Sequence, residues 1–266
     1  MPKINTGVIG VGNCFAGLIQ GIEYYKRNKS EKIGLLHDKI GSYSIEDITI
    51  TSAFDVSESK VGKPLAEAIY APPNCVNWVD SVSGCDVIVK EAPILDGVGI
   101  YAENAFKPIK HSKPTEQLKK EIIDEIESTD TKVLINYLPV GSQKATEFWA
   151  TIALETGCAF INCIPVFIAS HKEWARKFEE KGLPIIGDDI KSQLGSTIIH
   201  RVLAKLCSDR GVALDRTYQL NVGGNTDFLT MLERARLKSK KISKTEAVQS
   251  QLEEKLNETN VHIGPS

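Results

Sequence analysis

The chain has 266 residues, 42% of them hydrophobic and 25% charged, with 32 Lys+Arg against 34 Asp+Glu for a formal charge of −2. This composition excludes a disordered, collagen-like or small disulfide-stapled protein and supports a sizeable core, in one large domain or two modest ones. Near-neutrality excludes a global field that would draw the molecule to nucleic acid or a membrane, so any basic site is local.

Residues 4–9 are short and apolar and read as a strand, Gly10-Val11-Gly12-Asn13 as a turn, and Phe15, Leu18, Ile19 and Ile22 recur at helical spacing. The polar stretch 26–47 reads as a surface insertion. Residues 48–54 form a second predicted strand ending on Asp55, 60–70 a helix, and Val87-Ile88-Val89 a third strand. Residues 91–115 are rich in Gly, Pro and Lys and loop-like, and 115–128 are charged and helical in pattern. Another strand, 133–138, is closed by Pro139-Val140-Gly141-Ser142 and followed by a helix running to Leu154. Short apolar runs at 160–166 and 184–186 flank a charged helix at 172–181. Strands alternating with helices at this pace predict a Rossmann-type, doubly wound parallel α/β sheet covered on both faces.

After Gly187 the character changes. Asp188-Asp189 precedes a helix with Ile198, Ile199, Val202, Leu203 and Leu206 on one face; a strand at 218–222 leads into Gly223-Gly224-Asn225-Thr226-Asp227. We place the boundary here: 1–191 is the expected dinucleotide-binding domain, and 192–266 an attached, incomplete α+β catalytic and oligomerisation domain. The ending Val261-His262-Ile263-Gly264-Pro265-Ser266 is neither a finished helix nor a polar tail, and a further segment is expected beyond it.

The six cysteines show no two-residue spacing for zinc or redox chemistry, and most read as buried reduced thiols suited to a reducing cytosol. The five histidines are scattered without acidic or cysteine partners at ligand spacing, so no metal site is expected, and His200 reads as exposed on the polar side of its helix. No apolar run reaches the roughly 18 residues of a membrane span, and no signal peptide is evident, so a soluble cytoplasmic protein is expected.

Gly10 and Gly12 sit where a strand becomes a helix, so backbone N–H groups and the helix dipole can face a pyrophosphate. Phe15, with Ala16 beside it, stands where a third Gly would fall, and a plain structural turn is the alternative reading. Asp55 closes the second strand, later than the usual offset of about 20 residues, as the insertion explains. Its carboxylate suits ribose hydroxyls and would repel a 2′-phosphate, which favours NAD. Gly141 and Ser142 lie at the sheet edge that faces ligand, or else cap the next helix.

Arg234, Arg236, Lys238, Lys240, Lys241 and Lys244 place six cations in eleven residues. Such a cluster is either a solvated face or a reactive site. Lys240 and Lys244 share a face if helical, and crowded lysines depress one another's pKa, so that one accepts a proton while another holds an oxyanion or phosphate. Asp188, Asp189 and Asp227 can supply countercharge or proton relay, although Asp188 serves equally well as a cap or turn former.

Gly10-Val11-Gly12-Asn13-Cys14, residues 136–142 and 187–192, Asn221-Val222-Gly223-Gly224-Asn225-Thr226-Asp227 and residues 239–245 together resemble the myo-inositol-1-phosphate synthase family, particularly its archaeal and bacterial branch. The resemblance implies a redox-neutral isomerase of inositol and phospholipid biosynthesis. It oxidises D-glucose 6-phosphate with NAD, enolises and cyclises it by an intramolecular aldol step, and reduces the product to 1D-myo-inositol 3-phosphate. It implies catalytic roles for Lys240, Lys244, Asp227 and Asp189. The expected cofactor contacts are Gly10, Gly12, Asn13, Asp55, Gly141, Ser142, Asp189 and Asn225. A homotetramer is implied, with a small sugar phosphate as the only other partner. The family continues past the position of Ser266 into segments carrying two more catalytic lysines. Two alternatives therefore stay open: a truncated or divergent member that binds NAD without turnover, and a sugar-phosphate dehydrogenase.

Overall fold

The computed structural model describes residues 3–265 other than Lys32, residues 103–104, 111–112, 191–192 and Asn225, and gives the backbone alone for residues 231, 234, 237–241, 258 and 265. Strands β1 (Ile4–Ile9), β4 (Ile48–Asp55), β5 (Lys90–Glu91), β6 (Val133–Asn136), β7 (Ala159–Asn162) and β8 (Ile185–Ile186) form one parallel sheet in the order β5-β4-β1-β6-β7-β8. Counted along this sheet alone, that is the 3-2-1-4-5-6 order of dinucleotide-binding folds, whose chain reverses direction between β1 and β6 and opens a crevice there.

Strand alternation sends neighbouring side chains to opposite faces and builds a core on each. Val8 and Ala53 point to one, where Phe15, Ala16 and Ile19 of helix α1 (Asn13–Arg27) and Leu65 of α2 (Leu65–Ala68) cover them. Ile9 and Phe54 point to the other, under α3 (Thr115–Ser128) and α4 (Gln143–Thr156). Trp149 of α4 is fully buried there, its ring 5.0 Å from that of Phe54. Helix α3 buries Leu118, Ile122 and Ile126, spaced by four, against this face, and Phe178 of α5 (Lys172–Glu180) packs on Phe160.

Two predicted elements differ. The helix expected over 60–70 is the single turn of α2, because Gly62 takes φ +83 and Pro64 enforces extended backbone just before it. The third strand of the sheet is Lys90–Glu91 rather than 87–89, whose backbone instead bonds to the 62–65 segment, with Gly62 N donating to Val89 O at 2.8 Å and Leu65 N to Val87 O at 2.7 Å. The insertion carries a small antiparallel hairpin, β2 (Lys39–Ile40) with β3 (Tyr43–Ser44), outside the main sheet.

Beyond the sheet come α6 (Ser196–Asp209), β9 (Thr217–Asn221), α7 (Thr226–Met231), a 3-10 turn (Arg234–Leu237), α8 (Lys238–Gln249) and β10 (Val261–Pro265). The chain's last residues thus form a strand, parallel to β9, and a small core of Ala204, Val248, Val261 and Ile263 lies against this pair. Helix α6 inverts the expected packing: Ile199, Val202, Leu203 and Leu206 are 49–61% exposed, while His200 and Ala204 face inward. His200 is not a solvent-facing residue; its Nδ1 lies 3.1 Å from Gln219 Oε1 and its Nε2 2.6 Å from Thr217 Oγ1. Of the cysteines, only Cys158 and Cys163 are buried; Cys14 and Cys75 are exposed, and all six are free. No described helix is long and apolar enough to cross a membrane, and no described group of His, Cys, Asp or Glu is arranged to hold a metal ion.

Trp149→Ala removes the largest buried side chain of the α3–α4 face. It should cost about 3–5 kcal/mol, read as a lower urea midpoint with an unchanged denaturant slope.

Candidate functional site

The turn after β1 is held from both sides. Val11 N donates to Asp55 Oδ2 at 2.7 Å, while Val11 O accepts from Lys60 Nζ at 2.7 Å and Asn74 Nδ2 at 3.0 Å. The other Asp55 oxygen accepts from the N–H groups of Val56 and Ser57. Burial pushes the pKa of Lys60 down and the Asp55 carboxylate pulls it back up. Gly10 takes φ +88, and a Cβ there would sit 3.0 Å from Tyr137 O, whereas a Cβ on Gly12 would meet nothing within 4 Å. Gly10 therefore makes the bend possible, and Gly12 leaves open space in front of the N-terminus of α1, whose first turn has no acidic residue. Asn13 Oδ1 accepts from Cys75 N at 2.8 Å, which ties the helix start to the segment after α2.

Across the crevice, the exit of β6 rests on a buried polar chain. Asn136 Nδ2 donates to Asn162 Oδ1 at 2.9 Å, and Asn162 Nδ2 donates to Asp188 Oδ1 at 2.7 Å. Asp188 also accepts from the N–H groups of Ile168, Ala169 and Ser170 and from Ser170 Oγ. Of the two roles weighed for Asp188, this is the turn-organising one. The next residue, Asp189, is held at φ 72 and lines the cavity.

Gly141 and Ser142 line neither lobe of the crevice described below. Ser142 is fully buried, donates its hydroxyl to Pro139 O at 2.6 Å and accepts from Arg236 Nη2 at 3.1 Å. Nor does its side chain cap α4, because the carboxylate of Asp96 takes the Lys144 and Ala145 N–H groups instead. That cap comes from a residue distant in sequence, which local patterning does not reveal.

The crevice has two adjoining lobes that share Phe106, Leu138, Pro139 and Thr226. The smaller, about 100 Å³, is lined by Gly10, Gly12, Asp55, Ser57, Lys60 and Asn74. The larger, about 480 Å³, brings Asn13 and Cys14 of the turn together with Asp189, Asp227 and Lys244. Thus the predicted residues Gly10, Gly12, Asn13, Asp55, Asp189, Asp227 and Lys244 converge on one crevice. Lys240 lies in α8 one turn before Lys244, but its side chain, like Asn225, is outside the described residues. Three lining groups escaped the sequence reading: Gly195-Ser196-Thr197 at the N-terminus of α6, the ammonium of Lys60, and the Tyr137–Cys163 pair. A polar N-terminus just before a predicted helix was the available signal for the first.

Tyr137 and Cys163 both stand in the wall of the larger lobe, close enough to influence each other's titration. Burial pushes the Cys163 thiol up to about 11 and raises the Tyr137 phenol as well.

The family model described as myo-inositol-1-phosphate synthase matches residues 195–265. An inositol-3-phosphate synthase of Mycolicibacterium smegmatis is 50% identical over 99% of this chain and 73% of its own length. One of Corynebacterium glutamicum is 48% identical, again over 99% of this chain and 73% of the relative. Among solved structures, a myo-inositol-1-phosphate synthase-related protein of Thermotoga maritima superposes with a TM-score of 0.76 at 22% identity, covering 99% of this chain and 74% of that one, which is a likeness of fold.

Two outcomes follow from this geometry. Asp188→Asn turns an acceptor of several N–H groups partly into a donor, and should cost about 2–3 kcal/mol in urea unfolding, whereas Asp189→Asn, at a left-handed position that Asn tolerates, should cost under about 1 kcal/mol. Buried thiols with raised pKa react slowly at pH 8, so iodoacetamide followed by peptide mass analysis should label exposed Cys14 and Cys75 first and buried Cys158 and Cys163 last.

Proposed function

The chain belongs to the myo-inositol-1-phosphate synthase family, as an enzyme of the inositol-3-phosphate synthase type, and on that premise we propose that it converts D-glucose 6-phosphate into 1D-myo-inositol 3-phosphate with NAD as a recycled cofactor. The observation that carries the reading is the meeting of Lys244 and Asp227 with the Asn13–Cys14 helix start in one cavity. A hydride-transfer site and a cation that stabilises an enolate must lie side by side for this isomerisation, and this cavity is the place where both can be met.

The smaller lobe suits the ribose and pyrophosphate portion of a dinucleotide, whose nicotinamide end would then reach the larger one. The open side of Gly12 and the N-terminus of α1 suit a pyrophosphate, and the Asp55 carboxylate retains lone pairs for ribose hydroxyls after its three backbone bonds. When bound there, NAD supplies a hydride acceptor at the substrate's C5 and a donor at the same carbon at the end.

The remaining chemistry falls to the chain's own side chains. Lys244 holds the developing enolate oxygen and passes a proton, with Lys240 one helical turn away as its partner. Asp227 and Asp189, which line the same cavity, supply countercharge and a relay. Gly195-Ser196-Thr197 present the N-terminus of the 14-residue helix α6 to the same space, which suits the substrate's phosphate. Within this reading, residues 1–191 bind the dinucleotide and 192–266 carry the lysines. Residence in the cytoplasm, supported by the free thiols, and a homotetramer, supported by the exposed apolar stripe of α6, complete the proposal.

Protein incubated with NAD and glucose 6-phosphate should yield inositol phosphate, detected by NMR, with no net NADH absorbance. NADH rising in proportion to substrate would identify a dehydrogenase instead, and NAD-dependent thermal stabilisation without product would identify a non-catalytic binder. Lys244→Ala should lower turnover by roughly 10²–10⁴-fold while NAD affinity stays within a few-fold; parallel loss of both would remove Lys244 from the role assigned to it.

A further inference from the structure

Of the six cations, Arg236 and Lys244 are the two with described side chains, and Lys244 alone of this pair lines the crevice. Arg236 is only 9% exposed, and its guanidinium is turned away from the crevice into the dinucleotide-binding half. Nε donates to Val140 O at 2.9 Å, Nη1 to Asp96 O at 2.8 Å and Nη2 to Ser142 Oγ at 3.1 Å. The neighbouring Glu233 reinforces the contact, its Oε2 accepting from Ile100 N at 3.1 Å. The fit is close: a Cβ on Gly141 would lie 2.5 Å from Arg236 Cβ and 2.9 Å from its Cα. Burial lowers the Arg236 pKa, while Glu233 and Asp96 raise it, yet a guanidinium stays charged in any protein.

The elements so joined are those that form the crevice. Val140 lines the larger lobe, and Asp96 caps α4 with its carboxylate while its carbonyl takes the guanidinium. On the other side, Arg236 sits in the turn Arg234–Leu237, which runs straight into α8 and places Lys244 on the cavity wall. Three directional bonds to two loops, two of them to the loop after β6, fix both the position and the rotation of the start of α8. A shift of one residue would turn the helix by about 100° and take Lys244 off the wall.

We propose that Arg236 is a positioning residue that registers the lysine-bearing helix α8 on the loop after β6, so that Lys244 is presented to the reacting centre only while the guanidinium is seated between Val140, Asp96 and Ser142. Its part in turnover rests on the function proposed above; its mechanical part does not.

The test compares Arg236→Lys, Ser142→Ala and the double variant with the unaltered chain by three measurements: kcat and KM for product formation, NAD affinity by calorimetry, and amide hydrogen exchange across 238–249. Lysine keeps the charge and loses the fork. Arg236→Lys should lower kcat by roughly 10–100-fold, since displacements near 1 Å are that costly, with NAD affinity within about threefold. Exchange in 238–249 should rise at least about tenfold while β1 and β6 stay protected. The double variant should be no worse than Arg236→Lys, because both substitutions break one unit. Unchanged kcat and exchange in Arg236→Lys, a joint loss of turnover and NAD affinity, or strictly additive effects would each overturn the assignment. Absence of product from the unaltered chain would instead defeat the proposed function, and the exchange data would still decide whether Arg236 holds α8.

Discussion

Both polar backbone groups of a single residue, Val11, are fixed by side chains that follow the second strand of the sheet, and the placement of the crevice depends on this. Asp55 takes the N–H, and Lys60 and Asn74 take the carbonyl. A turn between Gly10 and Gly12 has wide conformational freedom and loses much entropy on folding. Three charged or amide partners at 2.7–3.0 Å select one of its conformations, the one in which the start of α1 faces open space. A buried ammonium would be costly alone; beside a carboxylate and on two acceptors, it becomes part of the turn's framework.

The second side of the crevice uses the same device with two amides and a carboxylate. Asn136 and Asn162 sit at the C-terminal ends of adjacent parallel strands and pass hydrogen bonds to Asp188, whose carboxylate gathers the N–H groups of residues 168–170. Every polar atom named in that chain has a partner, as a buried network requires if it is to specify one arrangement. Its consequence is local: the loop carrying Asp189 is presented to the larger lobe by a residue that never reaches it.

Much of the half that carries the parallel sheet was legible because its signals are periodic and local. Alternation in β1 and β4, the four-residue spacing of α3 and the Gly turn each follow from short-range sterics or from burial of one face. The misreadings share a different cause. An apolar stripe on α6 says that the helix has a face to cover, yet not which contact covers it, and here His200 and Ala204 turn inward because Gln219 and Thr217 of β9 offer partners. The cap of α4 and the role of Arg236 are likewise set by residues 48 or more positions apart in the first case and 94 or more in the second, beyond the reach of pattern. Six cations within eleven residues read alike, and only packing shows that Arg236 is buried.

The two halves differ in how they are held, and that difference shapes the site. The sheet is clamped between two extensive apolar clusters, whereas the fully buried apolar core of the β9–β10 region among the described residues is Ala204, Val248, Val261 and Ile263. A core of that size contributes little against the entropy of ordering the helices around it. The register of α8 against the half that carries the parallel sheet is therefore set by directional polar contacts more than by burial, with Arg236 and Glu233 reaching across to the 96–100 and 140–142 loops. Such contacts define geometry sharply while adding modest stability, because each exchanges bonds to water for bonds to protein. The Lys244 side of the crevice is thus placed by geometry more than by burial, the kind of anchoring in which one directional contact has a large effect on where a side chain points.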